Sequence, residues 1–317
     1  MPAGTGEVDR AMRRAGNVLQ ADRVILPQTR QRRDCLLTAF DSWLAANWRT
    51  TLVELVDGRS INFEDVSEAV VAYGKDMYQS GKSYGRFSET INALTTRRPA
   101  LRRNLGAAWD LAFNWLIDEP HEHHAALPVT ILLACVALGL LWGWLREAAV
   151  LALAWTGVLR IGEVFSAKRS DLVLPQDAAP GVWFAVLKIR LPKTRGRAAR
   201  HQSSRIDPAD IVELLTIAFA RLTPDEPLWP WAPATMRRRF AQLQSALGVV
   251  RIDGSEIYNL SSLRPGGATY WLQCTEDAEY VRRKGRWISS KVFGDLLARG
   301  CSCHLYRSIV FRDTKPN

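Results

Sequence analysis

Apolar residues recur at helical spacing through the first third of the chain and predict a compact helical domain over residues 30–118. Within each segment they lie three or four positions apart, which places them on one face of a helix. Four helices are expected, and they begin near Thr29, Asn62, Ser83 and Leu101. A helical lead over residues 1–29 precedes this domain. A polar linker over residues 119–127 follows it.

From residue 128 onward the pattern predicts a second domain, 128–317, in which helices surround a small β-hairpin. Residues 128–155 form two apolar runs that predict buried helices, with a break near Gly143 or Arg146. Residues 182–189 are rich in strand-forming side chains, and residues 203–206 are the expected partner strand. Further helices are predicted over 207–222, over 234–247, from Ser262 to about Cys274, from Asp277, and weakly to Ala298. The predicted fold class is therefore mainly α with a small β-sheet (α+β).

Two features bear on compartment and on metal binding. The apolar run over residues 129–145 falls short of a membrane span, and residues 1–14 lack the apolar segment of a signal peptide. Five cysteines without a repeating spacing favour reduced thiols inside a cell, in the nucleus of a eukaryote or otherwise in the cytoplasm or nucleoid. The histidines and cysteines of the linker and the C-terminal segment lack a four-ligand spacing, so no metal site is expected: His121, His123, His124, Cys301, Cys303 and His304.

The net positive charge lies entirely in the second domain. The 317 residues carry a net charge of +10, whereas residues 1–127 hold 16 basic and 16 acidic residues. The segment from Lys188 to Arg205 alone holds seven basic residues and no acidic ones. A basic excess of this kind indicates a surface for a polyanion, and the alternative is a solvated basic face.

A helix is predicted to start in the segment 261–269, with an arginine in its first turn. The segment reads Ser-Ser-Leu-Arg-Pro-Gly-Gly-Ala-Thr. Ser261 or Ser262 is the expected N-cap, and proline is tolerated in a first turn. Arg264 would then lie among the unpaired N–H groups where a phosphate binds. The two successive glycines each cost about 1 kcal/mol in a helix relative to alanine. They therefore indicate close approach to another backbone or to a ligand.

A second arginine stands in a comparable position earlier in the chain. Thr156-Gly157 marks a turn, and Arg160 opens the next helix with Glu163 three residues on. An arginine that enters a helix from an apolar hairpin is costly to bury unless it meets an anion. The alternative is a simple surface pair between Arg160 and Glu163.

Three stretches together resemble the boxes of the tyrosine recombinases, the phage-integrase family. Residues 156–163 resemble the first arginine box, and residues 192–195 between two strands resemble the lysine hairpin. Residues 262–269, followed by Gly-Arg-Trp at 285–287, resemble the second arginine box. The spelling is similar to that of the eukaryotic Crypton and DIRS-type mobile-element recombinases. Residues 30–118 resemble the family's core-binding domain.

The resemblance implies a function in breaking and rejoining DNA strands without a metal or nucleotide cofactor. It implies that Arg160 and Arg264 clamp a phosphate, that Lys193 is the general acid, and that Trp287 orients the phosphate. Double-stranded DNA is the implied partner, and family members act as assemblies on paired sites, so a homo-oligomer on DNA is also expected. The basic residues predicted to contact DNA are Lys188, Arg190, Arg195, Arg197, Arg200, Arg237, Arg238, Arg239, Arg282 and Arg283.

Two positions depart from the family's pattern. Ser261 stands where the family usually has histidine, and Leu296 stands where its spacing places the nucleophilic tyrosine. The only later tyrosine is Tyr306. The sequence therefore predicts an integrase-like protein that binds DNA and is impaired in strand cleavage. Two alternatives stay open: an active recombinase that uses Tyr306 from a shifted segment or in trans, and a non-enzymatic helical interaction module.

Overall fold

The computed structural model describes residues 5–16, 25–58, 61–120, 125–190 and 202–287. The chain divides into two compact units, Met1–Glu122 and His123–Asn317. The predicted C-terminal helix to Ala298 lies outside the described residues.

The first unit is helical. Its helices are α1 (Thr5–Arg14), α2 (Pro27–Asn47), α3 (Phe63–Gln79), α4 (Tyr84–Arg97) and α5 (Gly106–Asp118). Asn62 caps α3 by accepting a hydrogen bond from the Glu64 backbone N–H. Its core contains fully buried aromatic and aliphatic side chains, including Phe40, Leu44, Phe87, Ile91 and Leu94.

Where the sequence predicts one helix from Leu101, the structure has two elements. A 3₁₀ turn spans Pro99–Arg103, and α5 begins only at Gly106. The Asn104 side-chain amide donates to the carbonyl of Ala100 at 3.0 Å, and a polar side chain that bonds to the local backbone competes with helix continuation.

In the second unit, α7 (Leu145–Thr156) forms the centre of the core. It is buried from Glu147 to Thr156, whereas α6 (Val129–Leu141) is buried on one face only. The expectation that both helices are buried is therefore wrong for the other face of α6, which exposes Leu133, Leu140 and Leu141. Gly143 separates the two helices with φ +74°, a conformation that glycine adopts without steric cost.

A three-stranded antiparallel sheet follows, in the order β1 (Leu172–Val173), β2 (Ala185–Ile189) and β3 (Gln202–Ile206). The register pairs Leu187 with Ser204 and Lys188 with Ser203, so one face of the hairpin is buried and the other carries Lys188 and Arg205. The sequence did not predict β1 because two residues are too few to show a strand period.

The remaining helices are α8 (Ile161–Phe165), α9 (Ala209–Phe219), α10 (Pro233–Ala246), α11 (Leu263–Thr275) and α12 (Ala278–Lys284). No helix in the described part of the chain combines the length and apolar character that crossing a bilayer requires. All five histidines lie outside the described residues. Within those residues, no cluster of histidine, cysteine and carboxylate side chains could hold a metal ion.

Candidate functional site

A strained turn between α7 and α8 positions Arg160. Gly157 has ordinary angles, with φ −79°, and it is Val158 that adopts φ +48°. A Cβ at Gly157 would lie 3.0 Å from both the Leu153 carbonyl oxygen and the Ser204 hydroxyl, so a side chain there would fit only if these neighbours gave way slightly. Positive φ is rare for a β-branched residue, and such strain persists where the surrounding structure holds it.

Arg160 ends this turn and pairs with Glu163 in the next helix. Its backbone N–H donates to Glu163 Oε2 at 3.0 Å, and its Nη1 donates to Oε1 at 2.9 Å. One-third of the Arg160 side chain is exposed, whereas the Glu163 side chain is only 6% exposed. The pair named as an alternative is therefore present, but its carboxylate is buried and does not lie on the surface.

The second arginine lies at the start of α11. A 3₁₀ turn, Leu260–Ser262, precedes the helix, and its cap is Asn259, whose side chain accepts from the Ser261 N–H at 2.8 Å. Ser262 occupies the predicted N-cap position of α11, but its side chain makes no capping hydrogen bond to that helix. Arg264 occupies the second helical position, and Ser261 is exposed on the turn before it.

The glycines of this segment allow contact between backbones. A Cβ at Gly266 would overlap the backbone of Leu127, and a Cβ at Gly267 would overlap the carbonyl of Trp155. Trp155 in turn donates its indole N–H to the Leu127 carbonyl at 3.0 Å. Of the two explanations left open for these glycines, the structure therefore supports close approach of another backbone.

The side chain of Arg264 contacts the turn that follows α12. Its side chain donates through Nη2 to the Gly285 carbonyl, and its guanidinium lies 4.6 Å from the centre of the Trp287 ring. Only 9% of the residue is exposed. Its Nη1 is buried and has no hydrogen-bond partner among the described residues. An unpaired buried N–H of a charged group is costly and indicates a missing acceptor.

Arg286 joins this cluster, and the sequence did not predict it as a site residue. It adopts φ +59°, and its Nη2 donates to Glu163 Oε2 at 2.8 Å. Its side chain is 8% exposed. The sequence could have indicated Arg286 only through its position in the Gly-Arg-Trp motif. There the family resemblance assigns a role to Trp287 alone.

The three guanidinium groups create a strongly positive and poorly solvated site. Burial, and then the charges of Arg160 and Arg286, lower the pKa of Arg264 to about 9, while Glu163 acts in the opposite direction. A shift of that size corresponds to about 5 kcal/mol of unfavourable free energy for the charged form. Among the described residues, Glu163 is the carboxylate that pairs with Arg160 and Arg286, and Arg264 lies close enough to feel its charge. Three positive charges therefore stand against one negative charge. The arrangement can bind a further anion.

Lys284 anchors the turn that carries Arg286 and Trp287. Its ammonium donates to the Arg205 carbonyl of β3 at 2.9 Å and lies 4.4 Å from the centre of the Trp271 ring. Burial lowers the pKa of Lys284, and the nearby Asp207 opposes that shift. The end of α12 is thereby tied to the strand that leads out of the basic hairpin.

The structure separates the residues predicted for DNA contact into two groups. Lys188, Arg237 and Arg238 are exposed. The others in the described range form ion pairs, although the side chains of Arg190 and Arg283 stay 58% and 76% exposed: Arg190 with Asp171, Arg239 with the buried Glu147, and Arg282 and Arg283 with Glu279. Six residues that the sequence singled out lie outside the described part of the chain: Lys193, Arg195, Arg197, Arg200, Leu296 and Tyr306.

Comparison with solved structures identifies the fold. A lambda integrase dimer bound to a COC′ core site is 14% identical, with 99% of each chain covered and a TM-score of 0.52. The Tn1549 transposon integrase in complex with circular intermediate DNA is 11% identical, with 91% of this chain and 92% of that chain covered and a TM-score of 0.56. The XerH site-specific recombinase bound to its difH substrate is 12% identical, with 98% of this chain and 85% of that chain covered and a TM-score of 0.52.

The sequence itself matches no family profile and no curated protein. At this level of identity the structural likeness establishes the fold, which is that of the tyrosine recombinases. The predicted fold class, mainly α with a small antiparallel sheet, is confirmed.

Proposed function

We propose that this chain is an integrase-like protein that binds double-stranded DNA, with Arg160 and Arg264 holding one backbone phosphate between them. The observation that carries the proposal is the buried guanidinium of Arg264, whose Nη1 has no acceptor among the described residues. A phosphate oxygen accepts short, charge-assisted hydrogen bonds from guanidinium groups and would supply the missing negative charge.

Exposed basic side chains elsewhere in the second unit support a nucleic acid over a small anion. Lys188 extends from the exposed face of the hairpin, and Arg237 and Arg238 extend from α10, as expected for contacts to several phosphates. The three structural neighbours are bound to a COC′ core site, to circular intermediate DNA and to a difH substrate. The alternative of an interaction module requires the arginines to point apart, and the proximity of Arg160 and Arg264 does not favour it.

The salt dependence of duplex binding tests the proposal. Replacing both Arg160 and Arg264 by alanine should weaken binding of a labelled duplex and reduce the slope of log K against log salt by about one unit. Fluorescence anisotropy across a salt series measures both quantities. The matched control is Arg221→Ala, which removes an exposed charge from α9's C-terminal end and should leave the slope unchanged. Equal slopes for the double variant and the unchanged chain would overturn the proposal.

We further propose that strand cleavage is impaired. The support comes from sequence: Leu296 has no nucleophilic atom, and the exposed Ser261 cannot carry charge at neutral pH where the family pattern has histidine. A nicked duplex that traps covalent intermediates should therefore yield no protein–DNA adduct on a denaturing gel. An adduct that disappears in Tyr306→Phe would instead establish the active alternative.

The motif spelling also supports a finer placement among mobile-element recombinases, and the family's mode of action supports a homo-oligomer on paired DNA sites. We include this placement and the homo-oligomer in the proposal. We also propose an intracellular location, which would be the nucleus in a eukaryotic host. Sedimentation of the chain with and without duplex DNA measures the oligomeric state directly.

A further inference from the structure

Glu163 is the point at which the two arginine boxes meet. Its Oε1 accepts from Arg160 Nη1, and its Oε2 accepts from both the Arg160 backbone and Arg286 Nη2. The carboxylate is almost fully buried. One buried anion is thus shared between two guanidinium groups that come from segments more than a hundred residues apart.

The sharing changes the charge that Arg160 can offer to a ligand. With Arg286 present, Arg160, Arg264, Arg286 and Glu163 carry a net charge of +2. Without Arg286, the whole negative charge of Glu163 would face Arg160 alone. A buried ion pair of one guanidinium and one carboxylate is nearly neutral and has little attraction left for a phosphate.

Arg286 is poorly placed to contact a ligand itself. Its Nη2 donates to Glu163 Oε2 and to the Val158 carbonyl, its Nη1 donates to the Lys284 carbonyl, and only 8% of its side chain is exposed. The backbone holds it in a positive-φ conformation next to Gly285, whose carbonyl accepts from Arg264. Arg160, in contrast, keeps one-third of its side chain exposed.

We propose that Arg286 is a positioning residue, which neutralises Glu163 and so leaves the charge of Arg160 available to a DNA phosphate. The inference rests on the proposed function and adds to it a residue outside the two-arginine clamp.

Glutamine substitutions separate charge from hydrogen bonding, since glutamine can still donate to Glu163 but carries no charge. Arg286→Gln should weaken duplex binding about tenfold, whereas Arg286→Lys should stay within about threefold of the unchanged chain. Adding Glu163→Gln to Arg286→Gln restores the net charge to +2 and should return the affinity to within about threefold of the unchanged chain. Arg221→Ala again controls for the loss of one charge.

Each competing role gives a different pattern. If Arg286 contacted DNA directly, Glu163→Gln would not rescue Arg286→Gln. If the residue served only the fold, Arg286→Gln would lower the thermal midpoint and leave the affinity of the folded protein unchanged. Either result overturns the inference. The duplex affinity of Arg264→Ala is measured alongside. If Arg264→Ala binds duplex DNA normally, the proposed function fails. If Arg264→Ala binds weakly and Arg286→Gln binds normally, only the inference about Arg286 fails.

Discussion

Arg264→Met will bind duplex DNA more weakly than the unchanged chain and yet unfold at a higher denaturant concentration. Arg264 is buried beside two other cations, and its Nη1 has no acceptor among the described residues. Methionine has a similar length, can contact the Trp287 ring through its thioether, and brings no charge into the site. Replacing buried charged groups by well-packed apolar side chains of similar volume is often neutral or stabilising, by about 1–4 kcal/mol where it stabilises. The lost hydrogen bond to Gly285 offsets part of this gain.

Urea unfolding of the protein, followed by circular dichroism, measures the change in stability. Fluorescence anisotropy with a labelled duplex measures the change in DNA affinity on the same preparation. Arg221→Met is the matched control because its side chain is exposed, and it should change neither quantity appreciably. A less stable Arg264→Met protein would mean that the guanidinium is already well compensated without a ligand. Such a result would remove the argument for an anion at this position.

Gly267→Ala should destabilise the second unit by at least about 3 kcal/mol, or prevent it from folding. The added methyl group would overlap the carbonyl of Trp155, which lies in the part of α7 that is buried, from Glu147 to Thr156, and cannot move without disturbing the core. The substitution would otherwise be favourable, because alanine is preferred to glycine inside helices by about 1 kcal/mol.

Gly162→Ala is the control within the same unit. A Cβ at Gly162 meets open space, so this variant should be as stable as the unchanged chain or slightly more so. Thermal unfolding of both variants gives the comparison. A stable Gly267→Ala protein would show that α11 can move away from α7, and the close approach of the two backbones would then not explain the pair of glycines.

Local patterns in the sequence were sufficient for much of the architecture. The helical spacing of apolar residues predicts the helices of the first unit, and the strand pattern predicts β2 and β3, because burial of one face imposes a period on each element. The boundaries of α5, the exposed face of α6 and the short strand β1 were not predicted. The start of α5 depends on a hydrogen bond from the Asn104 side chain, and the exposed face of α6 on how little of that helix other elements cover. The strand β1 depends on its pairing with β2.

The site divides in the same way. Arg160 and Arg264 were identified from their positions at predicted helix starts and from the motif resemblance, both of which are properties of short segments. Arg286 could not be identified in this way, since its importance lies in a hydrogen bond to Glu163, 123 positions earlier. The tertiary structure likewise directs Arg239 to Glu147 and away from the group of exposed arginines beside it.

The sequence by itself determined the fold class, the basic character of the second domain and the two arginines at the start of α8 and α11. Only the tertiary structure decided that Glu163 is shared, that Val158 and not Gly157 takes the strained conformation, and that Gly266 and Gly267 face another backbone. The physical reason is that periodicity and capping act over a few residues. Charge balance and backbone contact depend on which distant segments the fold brings within a few ångströms of one another.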